Sequence, residues 1–201
     1  MENKRILVTG HRGFLCSRLM QELGNNEFIC FGGDVRETRI YTGIDVVMHF
    51  ASPSQDIEFA DKQRTATTII NGTLKLLSIA EQNSAKFIFA STVGVYHAKP
   101  NLNTLYESSK LAMDNYIQSV YNNYVILRIP RVYSATRPKG LMRKLRNGSV
   151  PDKDMNCKLD FLTLNEFIDQ TLPVLDTVNT IHEYTNLHFE TIREIKERFN
   201  I

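Results

Sequence analysis

The sequence predicts an α/β fold, a doubly wound parallel sheet with a small, reduced C-terminal lobe. Three observations predict it. Short apolar runs at 6–8, 28–31, 45–50, 86–90 and 124–129 alternate with longer stretches of helical periodicity. The first run ends in a pair of glycines, and a helical pattern opens directly after them through Leu15, Leu19 and Leu23. Past Pro130 the alternation weakens, so residues 1–133 read as the sheet domain and 134–201 as a small lobe packed on it.

The strand–turn–helix at residues 5–16 organises the rest. Gly10 lets the chain turn sharply, and Gly13 lets backbone approach a bound pyrophosphate. The helix that follows offers free N–H groups and a positive dipole end to that phosphate. Glycine pairs are common, so an ordinary turn without a ligand is the alternative. Cys16 stands where a third glycine or alanine would pack helix on strand, and its small side chain predicts looser packing rather than loss of the site.

The second run ends at Gly32-Gly33-Asp34, where a carboxylate can accept hydrogen bonds from an adenosine ribose. The third leads into Ala51-Ser52. Residues 58–83 are helical in pattern, with Ile69, Ile70, Leu74, Leu77 and Ala80 on one side. The run from Lys86 leads into Ser91-Thr92. Residues 105–121 form the next helix, with Leu111, Met113, Ile117 and Val120 as inward candidates. Helices are expected at 139–147, 164–175 and 190–199, with a polar loop at 148–158.

A chain of 201 residues buries roughly 70% of the surface its unfolded form exposes, enough for a core. The net charge of +2 gives no reason to invoke nucleic acid or a membrane surface. Arg137, Lys139, Arg143, Lys144 and Arg146 cluster, reading either as a solvated helix face or as a patch for an anionic substrate such as a diphosphate. Three cysteines, Cys16, Cys30 and Cys157, argue against a disulfide framework and for a reducing, cytoplasmic setting. No cysteine–histidine spacing suggests zinc, so no metal is expected. The polar N-terminus runs straight into a strand, which predicts no signal peptide, and no apolar run reaches membrane-span length.

Tyr106-Glu107-Ser108-Ser109-Lys110 places a phenol and an ammonium one helical turn apart. A free phenol titrates about three units above neutrality, or roughly 4 kcal/mol. A positive charge about 4 Å away, at an effective dielectric near 20, supplies about that much. Tyr106 beside Lys110 is therefore expected to act as an acid/base near working pH. Thr92, at the carboxyl end of a parallel strand where ligands bind, offers a hydroxyl to the same substrate oxygen; its structural alternative is a strand-end cap.

These residues, in this order, resemble the extended branch of the short-chain dehydrogenase/reductase superfamily, the NAD-dependent epimerase/dehydratase enzymes. The matching pieces are Val8-Thr9-Gly10-His11-Arg12-Gly13-Phe14-Leu15, Gly33-Asp34-Val35-Arg36, Val47-Met48-His49-Phe50-Ala51, Asn71-Gly72-Thr73, the stretch from Ser91-Thr92 to Val95-Tyr96, and Tyr106 to Lys110. Leu127-Arg128, Val132-Tyr133, Asp160-Phe161-Leu162 and the stretch from His182 to Leu187 follow as in the family. The resemblance implies a Rossmann-type fold binding NAD or NADP. Tyr106 would be the acid/base, Lys110 would hold the nicotinamide ribose and lower the phenol's pKa, and Thr92 would polarise the substrate. Gly10, Arg12, Gly13, Phe14 and Leu15 would hold the pyrophosphate region. Asp34, Val35 and Arg36 would sit near the adenosine, Ala51 and Ser52 along the dinucleotide path, and Asn71 on a helix near the site. The implied activity is a nucleotide-sugar epimerase, dehydratase or reductase, working as a homodimer through the helices at 58–83 and 105–121.

The chain departs from that family in three places. Between Phe31 and Asp45 there is no room for the usual helix and strand, so the edge strand is expected to be missing. Thr92 and Tyr106 lie fourteen residues apart, which trims the loop at 100–104, and the tail is short. Asp34 suits a free 2′-hydroxyl, whereas Gly10-His11-Arg12-Gly13 resembles the turn of NADPH-dependent GDP-fucose synthases, with Arg12 or Arg36 available to a 2′-phosphate. A catalytically silent dinucleotide-binding regulator or scaffold is the rival reading, and a reductase of small carbonyl compounds a third.

Overall fold

The computed structural model describes residues 1–53, 59–99 and 104–201. The chain runs β1 (Arg5–Thr9), α1 (Phe14–Glu22), β2 (Glu27–Cys30), β3 (Val46–His49), α2 (Lys62–Asn83), β4 (Lys86–Thr92), α3 (Leu105–Val120) and β5 (Tyr124–Ile129). It continues through β6 (Val132–Tyr133), α4 (Gly140–Arg146), β7 (Lys158–Thr163), α5 (Leu164–Thr171), β8 (Thr180–Glu183), β9 (His188–Thr191) and α6 (Ile192–Arg198).

Six strands form one parallel sheet in the order β2-β1-β3-β4-β5-β8. Among the described residues β2 is the edge, so the strand expected to be missing is missing without breaking the sheet. Side chains alternate across the strands as the pleat requires. Ile6, Val8, Met48, Ile88 and Leu127 face one layer with Leu19 and Phe167. Leu7, Val47, Phe87, Phe89 and Ile126 face the other with Ile69, Leu77, Met113 and Ile117. Both faces are therefore covered by helices, the arrangement a parallel sheet needs.

Two inward assignments are corrected. Leu74 and Val120 are exposed, because the buried stripes run through Ile69, Leu76, Leu77 and Ala80 on α2 and through Met113 and Ile117 on α3. The expected helix start at 58 and the trimmed loop at 100–103 lie outside the described residues.

The C-terminal part supplies strands that periodicity did not suggest. β8 extends the main sheet beside β5, with Val125 opposite Thr180. β6, β7 and β9 form a second sheet, in which β7 pairs antiparallel to β9. A separate apolar cluster, including Tyr133, Met142, Phe161 and Ile195, holds α4 and α6 against it. The last two helices begin with complete capping boxes, Thr163 with Glu166 and Thr191 with Glu194. No helix among the described residues is long and apolar enough to cross a membrane.

Candidate dinucleotide groove and proton-transfer residues

The carboxyl ends of β1, β3 and β4 open on a groove of about 950 Å³. The turn after β1 forms one wall. Gly10 sits at φ +72°, and a Cβ there would lie 2.7 Å from the main-chain nitrogen of Ala51. Only glycine fits that approach. Gly13 donates its N–H to the Gly10 oxygen at 2.7 Å and caps α1 with no side-chain cap and no acidic residue in the first turn. The N–H groups of the first helical residues consequently have no partner within the helix and leave its positive end for an anion. Cys16 is 1% exposed and packs helix on strand, its thiol 3.9 Å from the Thr9 oxygen; burial pushes that thiol up to about 12.

A buried histidine fixes the neighbouring loop. Ala51 N–H donates to Thr9 Oγ1 at 3.2 Å, and Thr9 Oγ1 lies 2.7 Å from His49 Nδ1. His49 Nε2 lies 3.1 Å from Thr73 Oγ1, which itself donates to the Ile69 oxygen. That direction requires Nε2 to carry the proton and Nδ1 to accept from Thr9. Burial, with the charge of Lys110, holds His49 well below its ordinary pKa and keeps it neutral. The network ties β1, β3 and α2 together beneath Ala51 and Ser52.

Thr92, Tyr106 and Lys110 all line this groove. The Thr92 oxygen accepts from Gly94 N–H at 3.1 Å, capping a short 3₁₀ turn. Tyr106 stacks at a tilt on Phe59, ring centroids 4.8 Å apart. Lys110 is 2% exposed; its Nζ donates to the Ala90 oxygen at 2.6 Å and sits 4.5 Å from the Phe89 ring centre.

The expected direction of the phenol's pKa is corrected. Burial pushes Tyr106 up to about 12, the nearby Ser52 hydroxyl offsetting only part of it. The cause lies in Lys110, whose ammonium is turned to a main-chain oxygen and whose own pKa burial lowers to about 7. With the charge committed there, desolvation of the phenol dominates.

Of the other expected residues, Arg12, Phe14, Leu15, Val35, Ala51 and Ser52 also line the groove. Asp34, between the lining residues Gly33 and Val35, pairs with Arg36. The Asp34 carboxylate accepts from the N–H and the Nε of Arg36, both at 2.9 Å, and this pairing holds Asp34 down at about 2. Arg36 instead lines a shallow pocket with Arg64, Thr67 and Asn71. From the basic cluster, Arg137 and Lys139 reach the groove, whereas the Arg146 guanidinium turns back to the carbonyls of Ala135 and Arg137.

Sequence reasoning missed Phe59 and the buried Asp114–Arg128 pair, Oδ2 to Nε 3.1 Å. The signal available for Asp114 was its place four residues after Lys110.

A family model described as the NAD dependent epimerase/dehydratase family matches residues 32–148. UDP-glucuronic acid decarboxylase 1 of Danio rerio is 29% identical over 47% of this chain and 29% of its own length. UDP-glucuronic acid decarboxylase 5 of Arabidopsis thaliana is 24% identical over 68% of this chain and 52% of its own. The chain thus spans between about a third and half the length of these curated relatives. Among solved structures, the UDP-N-acetylglucosamine 4-epimerase from Methanobrevibacter ruminantium M1 in complex with UDP-N-acetylmuramic acid superposes with a TM-score of 0.80 at 20% identity, covering 98% of this chain and 81% of that one. The RMD protein from Pseudomonas aeruginosa complexed with NADPH gives 0.75 at 18% identity, covering 97% and 82%. At these identities the likeness is one of fold.

Proposed function

The chain belongs to the NAD-dependent epimerase/dehydratase family, and from that premise we propose that it binds NAD or NADP and acts on a nucleotide sugar as an epimerase, dehydratase or reductase. The observation that carries the proposal is convergence. The glycine turn and the three candidate chemical residues, Thr92, Tyr106 and Lys110, line one groove. One of its polar atoms supports a bound ligand, since among the described residues the buried His11 Nδ1 has no hydrogen-bond partner.

In this reading the open amides of α1 hold the pyrophosphate, and Ser52 and Lys110 hold the nicotinamide end. Bound there, the dinucleotide supplies a hydride acceptor and donor. Thr92 O–H donates to the substrate oxygen and fixes its position. Tyr106 takes the proton from that hydroxyl at its phenolic oxygen, or returns it. Lys110 supplies the positive charge that stabilises the phenolate, once its Nζ leaves the Ala90 oxygen for the groove. Arg137 and Lys139 support a diphosphate-bearing substrate by charge. They come from 134–201, the substrate lobe in this reading, while 1–133 holds the dinucleotide. Leu74, Tyr116 and Val120, exposed on α2 and α3, support a homodimer formed through those helices. Exposed free Cys30 and Cys157 support a reducing, cytoplasmic setting.

The test is turnover of a nucleotide-sugar panel with each dinucleotide by wild type and Tyr106→Phe. Loss of turnover with dinucleotide binding intact supports the enzyme. One observation favours the silent module, namely the Lys110 ammonium committed to the Ala90 oxygen. Dinucleotide binding without turnover of any substrate by wild type would select that reading.

A further inference from the structure

Charge is unevenly distributed along the chain. Residues 131–151 hold six lysines and arginines and no aspartate or glutamate. The other 180 residues hold 18 lysines and arginines against 22 acids, a formal charge of −4. The positive segment reaches the groove, where Arg137 and Lys139 line it. The loop that carries them is fixed from two sides. The Arg146 guanidinium donates to the oxygens of Ala135 and Arg137. The Arg137 guanidinium donates to the Val132 oxygen and sits 5.2 Å from the ring centre of Phe14, the first residue of α1. These partners are neutral, so neither charge is cancelled. α4 then carries Arg143 and Lys144 away from Lys139, both exposed, while Met142 and Leu145 are buried. At a rise of about 1.5 Å per residue they lie about 6 and 8 Å along the axis from Lys139, within roughly one Debye length at physiological salt. Among the described residues neither makes an ion pair.

We propose that 131–151 is an electrostatic funnel for nucleoside diphosphate groups, in which Arg143 and Lys144 speed capture without touching the bound ligand. The ligand class rests on the function proposed above; the funnel rests on where the charge lies. An anion approaching from elsewhere meets a chain that is net negative. Along α4 it meets unpaired cations that continue into the groove through Lys139 and Arg137, as far as the start of α1. Cations on one lip attract an anion at long range and act on its arrival, whereas its departure is set by the contacts inside the groove. The plainer role for cations in the last turn of a helix is to complement its dipole. That role stabilises α4 and has no bearing on how fast a ligand arrives, so the two are separable.

The experiment is stopped-flow association with two probes, NADPH for the dinucleotide and mant-labelled UDP for the nucleotide sugar. Arg143→Gln/Lys144→Gln should slow association of one or both about fivefold at about 10 mM salt and not at about 1 M, with dissociation unchanged. The probe that slows identifies which ligand is gathered. Lys4→Gln/Lys75→Gln makes the same change of net charge beside the amino end of β1 and on α2, and should leave both rates alone. Unchanged association at low salt, or an equal slowing in that control, overturns the proposal. A ligand-free measurement keeps the funnel separate from the function. In ¹⁵N-labelled protein an anionic nitroxide should relax the amides of residues 10–15 more than a neutral nitroxide does, and the Arg143→Gln/Lys144→Gln variant should remove much of that excess. A protein that binds neither probe refutes the proposed function; an excess that survives the double variant refutes the funnel.

Discussion

The Lys110 ammonium donates to the Ala90 carbonyl oxygen at 2.6 Å, on the strand that carries Thr92, rather than pairing with a carboxylate. A single main-chain oxygen is a weak counter-partner for a charge that is 2% exposed. The consequences of that arrangement are measurable.

Lys110→Met should raise the melting temperature by several degrees near pH 7 while removing turnover. The folded-state pKa of Lys110 is lowered from 10.5 to about 7. Below pH 7 the side chain is protonated in both states and the folded protein bears the full cost of a buried charge. Above about 10.5 it is neutral in both and the cost is gone. The wild type therefore gains stability from this group as pH rises from about 7 to 10.5, and the advantage of the methionine shrinks over the same window. Thermal melts of both proteins across that window check it.

Gly10→Ala should destabilise by about 2 kcal/mol or more. The new methyl would meet the Ala51 nitrogen and Phe50 carbonyl carbon at 2.7 Å, at a φ of +72° that L side chains disfavour. Chemical denaturation measures it. Gly32→Ala is the control, since a Cβ there has open space.

Arg12→Ala should lower the ratio of NADP(H) to NAD(H) affinity about tenfold, the value of one charge-assisted hydrogen bond. Arg12 is exposed on the groove and makes no ion pair among the described residues, whereas Arg36 is committed to Asp34. Arg36→Ala should move the ratio less. Calorimetric titration with both dinucleotide pairs gives the two ratios.

Much of this was legible in the sequence because its physics is periodic. β1 through β5 and α1 through α3 stand where strand and helix periods placed them, and the ordered motifs brought Thr92, Tyr106 and Lys110 to one groove. β6 to β9 were not legible, since strands of two to four residues carry too little alternation to read. Leu74 and Val120 look like core residues by spacing, yet α2 and α3 bury the adjacent stripe. The direction of the Lys110 side chain left no trace in the spacing, so the sign of the Tyr106 shift was misjudged. The ion pair of Asp34 with Arg36 joins residues two apart, a local contact that any Asp-x-Arg can make and that the motif alone did not announce.

The most direct test of the central claim is a thermal-shift titration with NAD, NADH, NADP and NADPH, each in turn, on wild type and Gly13→Asp. The substitution puts a carboxylate at the open end of α1. At a ligand concentration about 100 times the dissociation constant, at least one dinucleotide pair should stabilise the wild type by roughly 2.7 kcal/mol. The same pair should leave Gly13→Asp unshifted. No shift of the wild type with any of the four would contradict the account.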